Sequence, residues 1–170
     1  MPKIKHSEPD YEVMTEVAPL QPRRPAITAD LVRGVARHLA DLGWSSQPEV
    51  TLSNGRRADL IALDTAGRIA IVEIKSSVPD FQVDIKWPEY REFCDLFYFA
   101  VPADFPRELL PESEGLIVGD RYGAAILRES VELKLAAARR KALTLRLARL
   151  GAERLRRMVD PGGLGPEITL

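Results

Sequence analysis

Charged side chains interrupt the most apolar stretch of the chain. Residues 69–74 are alanine or branched aliphatic residues apart from Glu73, and Lys75 follows directly. A strand that is apolar at both even and odd positions is expected to be covered on both faces of its sheet. An ionised Glu73 there loses hydration, so the fold must bring a compensating charge, such as a divalent metal ion, to this strand.

A short turn brings a second acid to the same place. Residues 64–68 separate two apolar runs, and Gly67 provides the left-handed conformation that a tight turn needs, which predicts a β-hairpin. If the two ends of the turn face each other, each step away from the turn moves one residue back on the first strand and one residue forward on the second. Asp59 then lies opposite Glu73. Opposed residues point to the same side of a sheet, as do residues two apart on one strand, so Asp59, Glu73 and Lys75 should converge.

Convergence of this kind indicates a metal site. Two carboxylates about 5 Å apart repel each other unless a hard cation lies between them, and Mg²⁺ or Mn²⁺ takes oxygen ligands. Lys75 would then orient or activate a water molecule. Two alternatives remain open: the acids are solvated on an edge strand, or Lys75, Arg56 and Arg57 neutralise them without a metal. The hairpin register and the apolar flanks favour the metal site.

The composition predicts one globular domain. The chain has 170 residues, of which 45% are hydrophobic and 29% charged, enough for a single core. We expect a flexible arm over residues 1–25, the domain over 26–159 and a flexible tail over 160–170. The single cysteine, Cys94, excludes an internal disulfide and is expected to be buried, and two histidines argue against a histidine-rich zinc site. No run resembles a signal peptide or a membrane span, so we expect a cytoplasmic protein without membrane contact.

Positive charge is concentrated near the end of the chain. Residues 134–159 contain nine basic residues against the single acid Glu153, so this segment carries +8 and the remainder −9. A basic face beside a carboxylate site is typical of a protein whose metal centre meets a polyanion. The alternative is a solvated helix whose arginines cover the edge of the core. The candidate phosphate-binding residues are Arg56, Arg57, Arg139, Arg140, Arg146 and Arg149.

The pattern of apolar residues predicts a mixed α/β fold. A first helix, capped by Thr28 and ended by Gly43, has apolar residues at helical spacing. A partly helical segment, residues 80–94, separates the third strand from the fourth, which predicts a parallel crossover. The result is a mixed sheet flanked by helices. The predicted strands are residues 49–52, 57–63, 69–75, 96–101, 115–118 and 124–127, and the last helix is 136–159.

The motif Asp59…Glu73-Ile74-Lys75, following an N-terminal helix, resembles the core of the PD-(D/E)XK nuclease superfamily, with Ala58 in place of the proline. That resemblance implies a restriction-endonuclease-like fold and Mg²⁺- or Mn²⁺-dependent hydrolysis of DNA phosphodiesters. It also implies that Asp59, Glu73 and the backbone carbonyl of Ile74 bind the metal, and that Lys75 assists the attacking water. The first helix carries acids only near its two ends, which weakens the expectation of a second metal.

A wider set of residues is similar to the bacterial MmcB-like DNA-repair family. The similarity runs from about Thr28 into the basic helix and implies a role in DNA repair, with DNA and other repair or translesion-synthesis proteins as partners. A non-catalytic alternative stays open, in which the nuclease fold serves as a DNA-binding or protein-docking module. The sequence is also compatible with a homodimer. The residues that carry the similarity are Asn54-Gly55-Arg56-Arg57-Ala58-Asp59, Glu73-Ile74-Lys75-Ser76-Ser77, Asp80-Phe81, Asp84, Lys86-Trp87, Tyr90 and Cys94-Asp95.

Six further residues are candidates for the site. The cation and two aromatic rings of one short segment could contact phosphate and stack on a base, although core packing is the commoner role for such rings. Two aspartates one turn apart could cap a helix or hydrogen-bond Lys75, and a metal role is the weaker alternative. An acid on the first strand could replace the one that the first helix lacks. In that order, these residues are Lys86, Trp87 and Tyr90; Asp80 and Asp84; and Glu49.

Overall fold

The computed structural model describes residues 24–162, which fold around one six-stranded mixed sheet. The strands lie in the sheet in the order of the chain, and the two central pairings, β3–β4 and β4–β5, are parallel while the other three are antiparallel. The predicted mixed α/β architecture is confirmed. Residues 1–23 of the predicted arm and 163–170 of the predicted tail lie outside the described residues. The strands are β1 (Ser45–Thr51), β2 (Arg57–Leu63), β3 (Ile69–Ile74), β4 (Leu96–Val101), β5 (Gly115–Gly119) and β6 (Ala124–Arg128); the helices are α1 (Arg24–Asp41), α2 (Val78–Val83) and α3 (Ala137–Val159), with 3₁₀ segments at Trp87–Phe93 and Arg107–Leu109.

The β2–β3 hairpin has the register that the turn predicts. Leu60 pairs with Val72 in an antiparallel ladder, the same alignment that sets the preceding residue, Asp59, opposite Glu73. Gly67 has a φ of +81°, the left-handed conformation that glycine adopts without a steric penalty. The turn therefore fixes the relative positions of the two acids.

Helices cover both faces of the sheet. α1 buries Leu31, Val35 and Leu39 against one face, and α3 buries Leu143 and Leu147 against the other. β3 and β4 are buried along their whole length, as expected for strands covered on both sides. The crossover between them, made by α2 and the following 3₁₀ segment, packs on the same face as α3.

The largest differences from the predicted boundaries are at the starts of two elements. α1 begins at Arg24 rather than after a cap at Thr28, because Pro25 is compatible with the first turn of a helix. β1 begins at Ser45, four residues earlier than predicted, because pairing with β2 extends it through residues of low strand propensity. Pro48 is tolerated there because β1 lies at the edge of the sheet. Among residues 24–162, no helix is long and apolar enough to cross a membrane.

Candidate functional site

The carboxylates of Asp59 on β2 and Glu73 on β3 each accept a hydrogen bond from a backbone amide across the hairpin. The backbone N–H of Asp59 donates to Glu73 Oε1 at 3.2 Å, and the backbone N–H of Ile74 donates to Asp59 Oδ2 at 2.8 Å. Glu73 is buried and Asp59 is half-buried. The structure thus brings together the two carboxylates that the sequence predicts to converge, and each is oriented by an amide of the opposite strand.

The two carboxylates are held in an environment that disfavours their negative charge. Burial, followed by the charge of Asp59, raises the pKa of Glu73 to about 8. Burial also raises the pKa of Asp59, although the Ile74 amide and the Lys75 ammonium oppose that rise. At neutral pH one proton therefore stays on the pair unless a further positive charge approaches it. A divalent cation would supply that charge.

Lys75 is buried beside the acid pair and is held by a third carboxylate. Its Nζ atom lies 3.7 Å from Glu73 Oε2 and forms a direct ion pair with Asp84 Oδ2. Burial lowers the pKa of Lys75, but the hydrogen bond to Asp84 and the charge of Glu73 outweigh this and raise the pKa overall. Lys75 is accordingly an ammonium at neutral pH, which can donate hydrogen bonds to a water or a phosphate but cannot accept a proton.

The two aspartates after β3 have different roles. Asp80 Oδ2 accepts hydrogen bonds from the backbone N–H of Ser76 at 3.0 Å and from its hydroxyl at 3.2 Å, while the Ser77 hydroxyl caps α2. Asp80 thus orders the chain where β3 ends, and its charge is close enough to contribute to the raised pKa of Asp59. Asp84 instead contacts Lys75 directly. Of the two predicted alternatives, the bond to Lys75 is made by Asp84, whereas helix capping by either aspartate is wrong, because the side chain that caps α2 is that of Ser77.

The predicted aromatic residues pack inside the protein. Trp87 stacks on Phe97 with ring centroids 5.7 Å apart and meets the edge of Phe99 at 5.3 Å. Tyr90 is buried and its hydroxyl donates to the carbonyl oxygen of Arg57 at 3.0 Å. Both rings therefore have the core role that the sequence favoured, and base stacking by them stays a prediction. Lys86, in contrast, is exposed.

Glu49 lies on β1 between the residues that pair with Leu60 and Ala58, so its backbone is across from Asp59, and its carboxylate faces an arginine. It has a φ of 49°, unusual for a residue other than glycine, and its carboxylate lies 3.6 Å from Arg57. The neighbouring Arg56 makes a bidentate ion pair with Glu89, at 2.8 and 2.9 Å. Both candidate phosphate-binding arginines before β2 thus have acidic partners in the unliganded protein, and their contact with DNA stays a prediction.

A cavity of about 660 Å³ opens beside the end of β3. Ser76 and Asp80 form one wall, the β1 residues Pro48 and Glu49 another, and the first turns of α1 the third. Its volume is in the range of small-molecule sites. The cavity gives solvent access to the end of the sheet at which the acid pair lies.

The donor set of the acid pair fits a single hard cation. Across residues 24–162, no group of three or more Asp, Glu, His or Cys side chains is arranged to hold a metal ion. Mg²⁺, however, keeps several waters and is commonly held by one or two carboxylates together with phosphate oxygens of the substrate. Asp59 Oδ1 receives no hydrogen bond from any described residue, and Glu73 Oε2 faces only Lys75. These two oxygens are therefore available to a cation.

The basic helix uses several of its arginines to support the fold. Arg140 makes a bidentate ion pair with the buried Asp95, at 2.7 and 2.6 Å, and also donates to the carbonyl oxygen of Gly67 in the β2–β3 turn. Arg139 donates to the carbonyl oxygen of Glu92. Arg149, by contrast, is exposed and makes no ion pair with a described residue. Arg146 is half-buried and also has no ion-pair partner among the described residues. Of the predicted arginines of this helix, Arg146 and Arg149 are therefore better candidates for DNA contact than Arg139 and Arg140.

Asp95 is a buried acid that joins several segments of the fold, a role that the sequence analysis did not predict. It is 1% exposed, and its carboxylate accepts hydrogen bonds from the backbone amides of Ile69 and Leu135 as well as from Arg140. Burial acts to raise the pKa of Asp95, but the Arg140 guanidinium and the two amides lower it to about 2. The signal in the sequence was an acid placed between the buried Cys94 and a wholly apolar strand.

The family to which the chain belongs is shown by comparison with known proteins. The model of the family described as DNA repair protein MmcB-like matches residues 16–162. The chain belongs to the MmcB-like family. No curated protein matches it. Among solved structures, a protein of unknown function from Silicibacter pomeroyi is similar to this MmcB-like protein, with 44% sequence identity and a TM-score of 0.80, over 88% of this chain and 99% of that one.

Membership of this family indicates a role related to DNA repair. The match covers all the site residues described above, from Glu49 to Arg149. Neither the family description nor the similar structure names a reaction or a metal.

Proposed function

We propose that this protein is a Mg²⁺-dependent DNA hydrolase with a PD-(D/E)XK-type site. The observation that carries the proposal is the pair of the half-buried Asp59 and the buried Glu73, whose carboxylates accept hydrogen bonds from backbone amides across the hairpin and lie beside the ammonium of Lys75. Without a cation, keeping the two carboxylates together is costly, because their charges repel and burial penalises both. A hard cation removes that penalty.

Each residue of the site has a distinct role in the proposed reaction. Asp59 and Glu73 hold the cation, with the Ile74 backbone carbonyl as an additional ligand implied by the resemblance to the superfamily. When bound, the cation polarises the scissile phosphate and lowers the pKa of water. Lys75, kept as an ammonium by Asp84, donates hydrogen bonds to the phosphate or to the attacking water. Lys75 in its ammonium form therefore does not act as the general base.

Two observations favour a non-catalytic alternative. The Lys75 ammonium is already bound by Asp84, and the described residues offer no third acid to the metal site. A protein of this kind would use the fold to bind DNA or another repair protein without cleaving DNA. The two functions differ in their dependence on the acid pair: binding alone would be insensitive to its replacement, whereas hydrolysis would be abolished.

A nuclease screen across DNA structures tests the proposal. Single-stranded, duplex, flapped and branched DNA would each be incubated with the protein and Mg²⁺ or Mn²⁺. Cleavage by the wild type should be lost in Asp59→Asn, Glu73→Gln and Lys75→Ala, with thermal melting used to confirm folding. Asp104→Asn, a change at an exposed acid, is the matched control and should cleave normally. Absence of cleavage of all four DNA structures by the wild type would contradict the proposed activity.

Calorimetric titration separates the metal site from the reaction. Mg²⁺ or Mn²⁺ should bind the wild type in a single-site manner and should not bind Glu73→Gln, because that variant removes one of the two carboxylate ligands. Metal binding without cleavage would favour the non-catalytic alternative. No metal binding together with no cleavage would leave the acid pair as a purely structural feature.

A further inference from the structure

Two aliphatic side chains beside the candidate site point into solvent. Val83, the last residue of α2, is 79% exposed, and Ile85 is 80% exposed. They flank Asp84, whose carboxylate holds Lys75. Consecutive Cα atoms are about 3.8 Å apart, so the Cα atoms of Val83 and Ile85 each lie at about that distance from the Cα atom of Asp84, the residue that contacts the Lys75 ammonium.

The backbone that carries this pair is firmly held at both ends. On one side Phe81 packs edge-on against Phe99, with ring centroids 5.6 Å apart. On the other side Trp87 stacks on Phe97. Between them, Asp84 Oδ1 also accepts the backbone N–H of Lys86 at 3.1 Å. The exposed aliphatic pair therefore projects from an ordered segment instead of fraying with a loose loop.

Exposure of two β-branched residues at such a place has no benefit for the fold. The side chains of Phe81, Asp84 and Trp87 turn inward and account for the packing of the segment. Val83 and Ile85 turn outward, next to the exposed cation Lys86. An aliphatic surface adjoining a cation matches DNA, in which apolar base faces lie beside a charged backbone.

We propose that Val83 and Ile85 form an aliphatic wedge that enters between DNA bases when DNA lies at the candidate site. Proteins commonly insert aliphatic side chains between base steps and partly unstack them. The preferred substrates would be DNA in which a base step is already weakened, by a mismatch, a lesion or a junction, because unstacking is then least costly. This inference rests on DNA being the ligand of the site, as proposed above, and does not require that the DNA be cut.

Base unstacking can be measured without cleavage. A duplex carrying 2-aminopurine at a mismatch or beside a junction would be titrated with the protein, once in EDTA and once with Ca²⁺ in place of Mg²⁺. The fluorescence of 2-aminopurine reports its unstacking, and the anisotropy of a separate dye on the same DNA reports binding. The wedge variant is Val83→Ser with Ile85→Ser. The matched control is Val131→Ser with Leu133→Ser, a second exposed aliphatic pair two residues apart.

The wild type and the control should raise the 2-aminopurine fluorescence, while the wedge variant should lose most of the rise and bind DNA roughly tenfold more weakly. Thermal melting should be unchanged in both variants, because the replaced side chains are exposed. The wedge is contradicted if the wedge variant unstacks DNA as the wild type does, if the control loses as much, or if the wild type binds DNA without unstacking it. Cleavage assayed separately with Mg²⁺ distinguishes the two proposals: cleavage without unstacking refutes only the wedge, unstacking without cleavage refutes only the hydrolase, and no DNA binding refutes both.

Discussion

At the residue scale, the acid pair combines fixed side-chain positions with an unfavourable environment for negative charge. Asp59 and Glu73 are oriented by backbone amides of each other's strands, so their positions do not depend on a bound ion. Their charges do depend on one, because burial raises both pKa values. Lys75 compensates only part of that charge, since Asp84 shares its ammonium.

The raised pKa of Glu73 predicts an unusual pH dependence of stability in the absence of metal. The folded protein holds a proton on Glu73 up to a pH of about 8, whereas an unfolded glutamate releases it near pH 4.5. The folded state thus binds more protons between these values, and the free energy of unfolding should fall as pH rises through this window. The slope from Glu73 is at most about 1.4 kcal/mol per pH unit.

Urea denaturation at several pH values between 4.5 and 8 measures this slope, with EDTA present. The wild type should lose stability relative to Glu73→Gln as pH rises, because the amide does not titrate. Saturating Mg²⁺ should remove the difference in slope if the ion binds the pair. Parallel curves for the two proteins in EDTA would show that Glu73 is ionised throughout.

At the scale of elements, the β2–β3 hairpin and α3 together position the site. The hairpin sets the register of the acids, and Arg140 on α3 joins the hairpin turn to Asp95 at the start of β4. Arg154, further along α3, donates to the backbone carbonyl oxygen of Pro48 on β1. Part of the positive charge on α3 is therefore used to hold the sheet, and part is paired within the helix, where Arg156 and Arg157 bind Glu153.

Gly67→Ala tests the importance of the hairpin turn. No atom lies within 4 Å of the position that a Cβ would occupy, so the effect comes from the left-handed backbone alone. The expected loss is about 1–2 kcal/mol of unfolding free energy. Gly123→Ala is the matched control, because it has equal space but no left-handed backbone, and it should change stability by less than about 0.5 kcal/mol. Equal effects of the two substitutions in urea denaturation would contradict this account.

Arg140 and Arg149 provide a matched pair on α3. Arg140→Met should cost about 3 kcal/mol, the lower end of the range for breaking a buried ion pair, since 27% of the Arg140 side chain reaches solvent. Arg149→Met should change stability by less than about 0.5 kcal/mol, because Arg149 is exposed. Chemical denaturation measures both values. A small effect of Arg140→Met would show that Asp95 is satisfied by its two backbone amides alone.

At the scale of the whole molecule, charge is distributed more unevenly than the net value of −1 suggests. The acid pair lies at one end of the sheet, while the segment 134–159 carries +8. Such a distribution favours approach of a polyanion to the basic face and leaves the acids to a cation. The helices cover both faces of the sheet, and one cavity opens at the end of β3, lined in part by Ser76 and Asp80.

DNA binding should depend on salt in a way that identifies the contacting residues. Each phosphate neutralised adds about 0.9 to the magnitude of the slope of log affinity against log salt for duplex DNA. Arg149→Met should reduce that magnitude by about one while leaving thermal stability unchanged. Fluorescence anisotropy at several salt concentrations measures the slope, with Lys3→Met, outside the basic segment, as the control. An unchanged slope in Arg149→Met would place the DNA on another surface.

Several features followed from the sequence because they depend on local patterns. Alternating and continuous apolar runs predicted β2, β3 and β4, and the turn with Gly67 predicted the register that brings Asp59 opposite Glu73. Backbone geometry fixes such relations over a few residues, so they survive without knowledge of the fold. The start of β1 did not follow, since its pairing with β2 outweighs its own propensity.

The sequence by itself determined the mixed α/β class, the convergence of Asp59, Glu73 and Lys75, and the basic character of the last helix. Only the tertiary structure decided which charges meet: Asp84 with Lys75, Arg140 with Asp95, and Arg56 with Glu89. The physical reason is that register along a hairpin is set by short-range geometry, whereas ion pairs between distant segments depend on how whole elements pack. The same packing places the side chains of Trp87 and Tyr90 against the core and leaves those of Val83 and Ile85 exposed to solvent.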